Sequence, residues 1–218
     1  MHLSLLSLLL LSASMSLLSA KPKNWEPSIR AFEQYDANTP PPEKPLLFVG
    51  SSSVRMWKLK DSFPGLVTMN RGFGGSELSD SLQYFDRIVL PYRPRAILLY
   101  AGDNDIGNGE TAEQVIADYK AFAAKVRSQL PKADFAYLPF KPSLARWNLW
   151  PEMQKANQAI KQLAAADPKL HYLDTVTPML GADGKPKKEF FLPDGLHMTP
   201  PGYQAWTAVV TPWLESLK

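Results

Sequence analysis

Short, continuous runs of apolar residues recur along the chain, and each run stops at glycine, proline or a polar residue. Five such runs lie at residues 46–49, 66–69, 96–100, 135–138 and 170–173. A strand that faces solvent on one side alternates apolar and polar positions, whereas a strand covered on both faces is apolar throughout. The runs therefore predict five buried strands of a parallel sheet.

The stretches between these runs carry apolar residues three and four positions apart. This spacing places apolar side chains along one face of a helix. It predicts helices over residues 76–89, 111–130, 153–165 and 202–217. Strands that alternate with helices favour a doubly wound, three-layer α/β/α sandwich with five parallel strands. Residues 46–218 then form one domain without an internal repeat.

The composition narrows the class of protein further. The 218 residues are 45% hydrophobic and 21% charged, which is enough apolar material for a full core and too much for a disordered chain. Because the chain has no cysteine, a disulfide scaffold and a thiolate metal site are excluded. The net charge of +3 comes without a long basic run, so nothing in the sequence indicates a nucleic-acid partner.

The N-terminus has the pattern of an export signal. Residues 3–18 are apolar or small and carry no charge, and Ala20 is followed by a polar segment. This pattern predicts a signal peptide over residues 1–20 and a periplasmic or secreted protein. The alternative is an uncleaved anchor, but the apolar run is shorter than the ~20 residues of a membrane span. We therefore expect no stable membrane insertion after cleavage. Residues 21–45, with their run of prolines, are interpreted as an exposed N-terminal extension.

Small and polar residues cluster directly after three of the predicted strands, at residues 51–53, 72–75 and 102–105. In an open α/β sheet, ligands bind beyond the carboxyl ends of the strands, so the clusters should converge on one crevice. A serine at such a strand-to-helix turn can act as a nucleophile, helped by the free N–H groups of the helix N-terminus. The alternative is that these serines only cap the helix.

Candidates for the acid, the base and the amide donor lie near the C-terminus and in the cluster at residues 102–105. Asp194 precedes His197 by three residues, so its carboxylate can orient the imidazole. His197 is left as the plausible general base, because His2 lies in the signal segment and His171 in a strand pattern. The Asn104 side-chain amide is a neutral donor suited to an oxyanion. Its acidic neighbours raise the alternative of calcium, but Glu110 comes too early for a twelve-residue calcium loop, so no metal is expected.

Together, these clusters resemble the four sequence blocks of the SGNH hydrolase superfamily, the GDSL-type esterases and lipases. Ser52 occupies the nucleophile position of the first block, and Gly75 is the best match to the oxyanion glycine of the second. Asn104 matches the third block, and Asp194 and His197 match the last. The first block usually has Asp before the nucleophile, where this chain has Ser51. A subset of the family carries such a serine-rich version.

The resemblance implies a flavodoxin-like sheet and cofactor-free hydrolysis of carboxylic esters through an acyl-enzyme. In that scheme Ser52, His197 and Asp194 form the catalytic triad. The oxyanion hole consists of the Ser52 and Gly75 backbone N–H groups and the Asn104 amide.

The residues expected around the crevice indicate the class of substrate. Arg146 and Trp147 follow the fourth strand and could stack on a sugar ring or flank an acyl chain. Arg55 and Arg71 are expected near the nucleophile and could play a similar part. The alternative for Trp147 is that it packs a long loop onto the body. Aromatic and basic residues in an exported esterase favour a small-molecule or carbohydrate ester, with short acyl groups such as O-acetyl. A lysophospholipid or other lipid ester, and a non-catalytic glycan-binding module on the same fold, are the alternatives.

Overall fold

A computed structural model describes residues 24–217 and contains a five-stranded parallel sheet. The strands run in the order β2-β1-β3-β4-β5, which is the flavodoxin-like order. Their bounds are β1 Leu46–Gly50, β2 Thr68–Gly72, β3 Ala96–Tyr100, β4 Asp134–Tyr137 and β5 Leu170–Tyr172. The predicted three-layer fold is confirmed, and β2 begins two residues later than its apolar run.

Helices connect the strands and cover both faces of the sheet. Their bounds are α1 Glu26–Asn38, α2 Ser52–Arg55, α3 Leu59–Ser62, α4 Leu78–Gln83, α5 Phe85–Ile88, α6 Asp103–Gly107, α7 Ala112–Gln129, α8 Trp150–Ala165 and α9 Pro200–Ser216. The single helix predicted over residues 76–89 is divided at Tyr84 into α4 and α5. The other three predicted helices are present, with ends shifted by one to three residues.

The alternation of side chains along each strand explains the three layers. In β1, Leu47 and Val49 join one apolar cluster with residues of α4, α5, α7 and α8. Leu46 and Phe48 point to the opposite face and join a second cluster with residues of α2, α3 and α9. Because the central strands β1 and β3 are buried on both faces, their sequences are continuously apolar rather than alternating.

The interpretation of residues 21–45 as an exposed extension is wrong for α1. One face of this helix packs on the body, with Ile29 fully buried. Asp36 of α1 accepts hydrogen bonds from Arg71 and Tyr92. The sequence missed this contact because the other faces of α1 are exposed and its apolar residues are few.

The predicted signal peptide, residues 1–20, lies outside the described residues. Within residues 24–217, no helix is both long enough and apolar enough to cross a membrane.

Candidate active site

The site begins at the sharp turn between β1 and α2. Gly50 ends the strand with a φ of +142°, and a Cβ at this position would lie 1.9 Å from the carbonyl oxygen of Tyr100 in β3. Only glycine allows this approach and this backbone angle together. The turn makes Ser52 the first residue of α2, at the carboxyl edge of the sheet.

Ser52, His197 and Asp194 form a hydrogen-bonded chain. The Nε2 atom of His197 lies 3.0 Å from Ser52 Oγ, and Nδ1 lies 2.6 Å from Asp194 Oδ2. A carboxylate accepts hydrogen bonds, so Nδ1 carries the proton and Nε2 is left to accept from the serine hydroxyl. Ser52 and His197 are 145 positions apart in sequence, and only the fold brings them together.

The carboxylate of Asp194 is held in its charged form. The hydrogen bond from the His197 ring, followed by the backbone N–H groups of Leu196 and His197, lowers the pKa of Asp194 to about 2. Its Oδ1 atom accepts both backbone N–H groups at 2.9 Å, while Oδ2 faces the ring. The short loop therefore fixes the carboxylate and points it at the imidazole.

Three hydrogen-bond donors lie around the same cleft. The backbone N–H groups of Ser52 and Gly75 donate to no acceptor within residues 24–217. Gly75 has a φ of +83°, a backbone angle that glycine adopts readily. The Asn104 amide donates from Nδ2 to the carbonyl of Ser76 at 2.8 Å, which leaves its second N–H unused.

These groups line one open cleft of about 500 Å³. Its walls are formed by small and polar residues, with Leu196 as the single aliphatic side chain: Ser28, Ser52, Arg55, Gly74, Gly75, Asn104, Leu196 and His197. Arg55 is exposed at the rim, and no acidic group among the described residues forms an ion pair with it. Ser28 shows that α1 contributes to the wall, which no sequence pattern indicated.

The structure places the other residues predicted to bind substrate differently. Arg71 is not at the cleft, because its side chain is 5% exposed and pairs with Asp36. The prediction that Arg71 binds substrate is therefore wrong. Trp147 is half-buried and stacks on Trp150 with ring centroids 5.5 Å apart, which agrees with the packing alternative. The guanidinium of Arg146 contacts Asp103 and Asn104 rather than standing free.

Lys141 is a buried residue that sequence reasoning did not use. Its ammonium lies 2.9 Å from the Asp103 carboxylate and 3.2 Å from the hydroxyl of Ser53, the residue after Ser52. Burial lowers the pKa of Lys141, and Asp103 opposes this effect. The local sequence of Lys141 gave no signal of burial, because an unpaired charge is rarely buried and its partner Asp103 lies 38 positions away along the chain.

One group of carboxylates within residues 24–217 is close enough to share a cation, namely Asp105, Glu110 and Asp118. None of them lines the cleft. Three carboxylates fall short of the six to eight oxygen ligands that calcium takes. Burial raises the pKa of Asp105 to about 8, so its carboxyl group stays protonated near neutral pH without a cation.

A larger cavity is remote from this chemistry. It measures about 820 Å³ and is lined by Arg95, Lys132 and Ala133, which precede β3 and β4. This position is the amino edge of the sheet, whereas ligands of open α/β sheets bind at the carboxyl edge. The smaller cleft at Ser52 is therefore the candidate active site.

A flavodoxin-like sheet with Ser, Gly, Asn and His blocks converging beyond its carboxyl edge defines an SGNH hydrolase. Residues 50–205 match the GDSL-like lipase/acylhydrolase family, and the chain belongs to this family. It is therefore an ester hydrolase.

Similarity to individual proteins supports the assignment of the chain to this family. The chain is 27% identical over 178 residues to platelet-activating factor acetylhydrolase IB subunit alpha1 of Pongo abelii, which covers 78% of this chain and 75% of the relative. A GDSL-like lipase from Bacteroides thetaiotaomicron superposes with a TM-score of 0.77 at 20% identity, covering 87% and 98% of the two chains. A mutant of an acetyl-xylooligosaccharide esterase from Geobacillus superposes with a TM-score of 0.65 at 15% identity, covering 80% and 94%.

Proposed function

We propose that the protein is a serine esterase that removes short acyl groups, above all acetyl, from carbohydrate through an acyl-enzyme. The observation that carries this proposal is the chain from Ser52 Oγ to His197 Nε2 and from His197 Nδ1 to Asp194, at 3.0 and 2.6 Å. These are hydrogen-bonding distances at which an imidazole can take the proton of a nucleophilic hydroxyl.

The reaction runs in two halves. Ser52 Oγ forms a bond to the carbonyl carbon of the ester as its proton moves to His197 Nε2. The tetrahedral oxyanion accepts hydrogen bonds from the Ser52 and Gly75 N–H groups and from the free N–H of Asn104. The C–O bond to the alcohol breaks, and the alcohol leaves with the proton from His197. Water then attacks the acyl-enzyme, His197 takes its proton and returns it to Ser52, and the free acid leaves.

The lining of the cleft favours a short acyl group. A long acyl chain gains its binding energy from buried apolar surface, at about 25 cal/mol per Å². The cleft offers Leu196 as its single aliphatic side chain, against glycines, serines and polar groups. It therefore supplies little apolar surface to a long chain and enough room for acetyl.

The alcohol part of the substrate is proposed to be a carbohydrate. The cleft is open, and Arg55 offers free guanidinium N–H groups beside the nucleophile. Hydroxyl-rich and charged sugars accept hydrogen bonds from such a group. The structural similarity to an acetyl-xylooligosaccharide esterase points in the same direction.

A lipid ester is the second candidate, because of one further feature. An apolar groove of about 680 Å³ lies beside α2 and α9 and is lined by Met56, Trp57, Met198 and Tyr203. Met198 directly follows His197, so the groove begins near the catalytic base. A lysophospholipid would need this groove, or a rearrangement that opens it to the cleft.

The test is hydrolysis of p-nitrophenyl esters from acetate to palmitate by residues 21–218. We expect kcat/KM to be highest for acetate and to fall by about 10-fold or more by octanoate, since each methylene added beyond the cleft finds no apolar partner. A maximum at long chains would favour the lipid candidate.

A matched serine pair tests the nucleophile. Ser52→Ala should lower kcat by roughly 10⁴–10⁶ and abolish labelling by a fluorophosphonate probe. Ser51→Ala is the control, because the Ser51 hydroxyl is buried and makes no hydrogen bond, so this variant should stay active. Equal activity of Ser52→Ala and wild type would refute the assignment of Ser52.

Export is also part of the proposal and is supported by the uncharged apolar segment at residues 3–18. Mass spectrometry of the protein from a native-like host should find a mature N-terminus near Lys21. A chain that retains Met1 would contradict the removal of residues 1–20.

A further inference from the structure

Arg146 contacts two residues of the third block of the site, Asp103 and Asn104. Its Nη1 atom donates to the backbone carbonyl of Asp103 at 2.8 Å and lies 3.2 Å from the Asp103 carboxylate. Its Nη2 atom donates to Asn104 Oδ1 at 2.9 Å. The side chain is 18% exposed, so these contacts are largely shielded from water.

These contacts settle which way the Asn104 amide points. A guanidinium can only donate hydrogen bonds, so the Asn104 atom that faces Arg146 must be the oxygen. The carbonyl of Ser76 can only accept, so the atom that faces it must be the nitrogen. With Oδ1 engaged and one N–H used, a single N–H remains, and Asn104 lines the catalytic cleft.

The surroundings of Arg146 hold the guanidinium in this place. A Cβ at Gly107 would come 2.8 Å from the Arg146 guanidinium carbon, so glycine there permits the close approach. The Asp103 carboxylate is shared between Arg146 and the buried Lys141. One carboxylate thus faces two cationic side chains, beside the position where an oxyanion develops.

We propose that Arg146 is a positioning residue of the oxyanion hole, which orients the Asn104 amide and polarises it through Oδ1. A cation on the amide oxygen draws electron density from the nitrogen and makes its remaining N–H a stronger donor, most of all at low dielectric. Arg146 itself does not contact the substrate in this arrangement. The proposal rests on the proposed role of Asn104 as an oxyanion donor, and it replaces the sequence expectation that Arg146 binds a sugar.

Arg146→Met tests this proposal with Arg127→Met as the matched control. Arg127 is also half-buried and also donates to a backbone carbonyl, that of Ala133, but it lies at the other edge of the sheet. Arg146→Met should lower kcat for p-nitrophenyl acetate by about 10- to 100-fold, less than the loss of a whole donor. KM should stay within about threefold, and Arg127→Met should match wild type. A rise in KM with unchanged kcat would overturn the proposal in favour of substrate binding.

Two further variants separate positioning from a general structural role. Arg146→Lys keeps the positive charge but not the planar guanidinium with its paired N–H donors. We expect this variant to fold and to have a kcat between those of wild type and Arg146→Met. In the Asn104→Ala background, Arg146→Met should have no further effect on kcat, because the group through which it acts is gone. If its effect is equally large in that background, Arg146 does not act through Asn104 and the proposal is wrong. If Asn104→Ala alone leaves kcat unchanged, the proposed oxyanion role of Asn104 fails first.

Discussion

The buried Arg71 near the end of β2 forms an ion pair with the partly buried Asp36 on α1, with Arg71 Nη2 2.7 Å from Asp36 Oδ2. Tyr92 closes the group, because its hydroxyl donates to Asp36 and accepts from Arg71 Nε. The pair holds the N-terminal helix against the body, and this helix supplies Ser28 to the wall of the catalytic cleft. An arginine that the sequence suggested for substrate binding therefore secures the fold around the site.

Arg71→Met should destabilise the protein by about 2–3 kcal/mol, less than the ~3–5 kcal/mol of a fully buried pair, because Asp36 loses its cation but its side chain is 15% exposed. Arg87→Met is the matched control. Arg87 also anchors α1, through Glu26 and Glu33, but its side chain is 34% exposed, so the expected cost is about 1 kcal/mol or less. Chemical denaturation of both variants measures the difference. Equal losses would show that burial of the Arg71 pair is not what anchors the helix.

Asn104→Ala should lower kcat by roughly 10²–10³, with KM little changed, because an oxyanion donor acts in the transition state. Asn108→Ala serves as the control, since Asn108 is exposed in the same segment and its amide donates to Glu77. The measurement is steady-state hydrolysis of p-nitrophenyl acetate, with thermal unfolding to confirm that both variants fold. Full activity in Asn104→Ala would remove Asn104 from the oxyanion hole.

The acid limb of the activity should report a single ionisation. Because the pKa of Asp194 is lowered to about 2, this carboxylate stays charged above about pH 3 and adds no ionisation of its own to the acid limb. A plot of log kcat/KM against pH should therefore fall with a slope of no more than one on the acid side. A slope of two above pH 4 would mean that Asp194 titrates within this range.

Asp194→Asn provides a second check on the same pair. It should lower kcat by about 10⁴, because an amide N–H in place of the carboxylate favours the wrong imidazole tautomer. A loss of less than about tenfold would contradict the orienting role of Asp194.

Asp105 should make the stability of the protein depend on pH. Burial raises the pKa of Asp105 to about 8, so the folded state keeps a proton that the unfolded state releases near pH 4. The folded state binds more protons between these values, so this group's contribution to stability falls as the pH rises from about 4 to 8, by at most about 1.4 kcal/mol per pH unit.

Asp105→Asn tests this linkage. Asparagine keeps an oxygen for the N–H of Leu78, which Asp105 Oδ1 accepts at 2.8 Å, and it cannot ionise. The variant should match wild type in unfolding free energy near pH 4 and exceed it at pH 8–9. A constant difference between the two proteins at every pH would show that Asp105 does not titrate in this range.

The sequence by itself determined the layered fold. Continuous apolar runs identify strands that are covered on both faces, and this fixed β1, β3, β4 and β5 to within one residue at either end. Local spacing also revealed the Asp194 to His197 pair, because three residues in a tight loop bring a carboxylate to an imidazole. The serine cluster at residues 51–53 and Asn104 were found because the ends of parallel strands meet at one edge, so polar clusters after the strands must converge. The choice of Ser52 within the serine cluster came from the resemblance to the SGNH hydrolases.

Only the tertiary structure decided how the long-range partners pair. The sequence does not distinguish the roles of Arg71, Arg146 and Arg55. In the structure, Arg71 is buried against Asp36, and Arg146 is bound to Asp103 and Asn104. Arg55 is exposed at the rim of the cleft. The packing of α1 and the burial of Lys141 were likewise invisible. The physical reason is that a strand or helix is specified by its own periodicity, whereas the partner of a charged side chain depends on where distant segments pack.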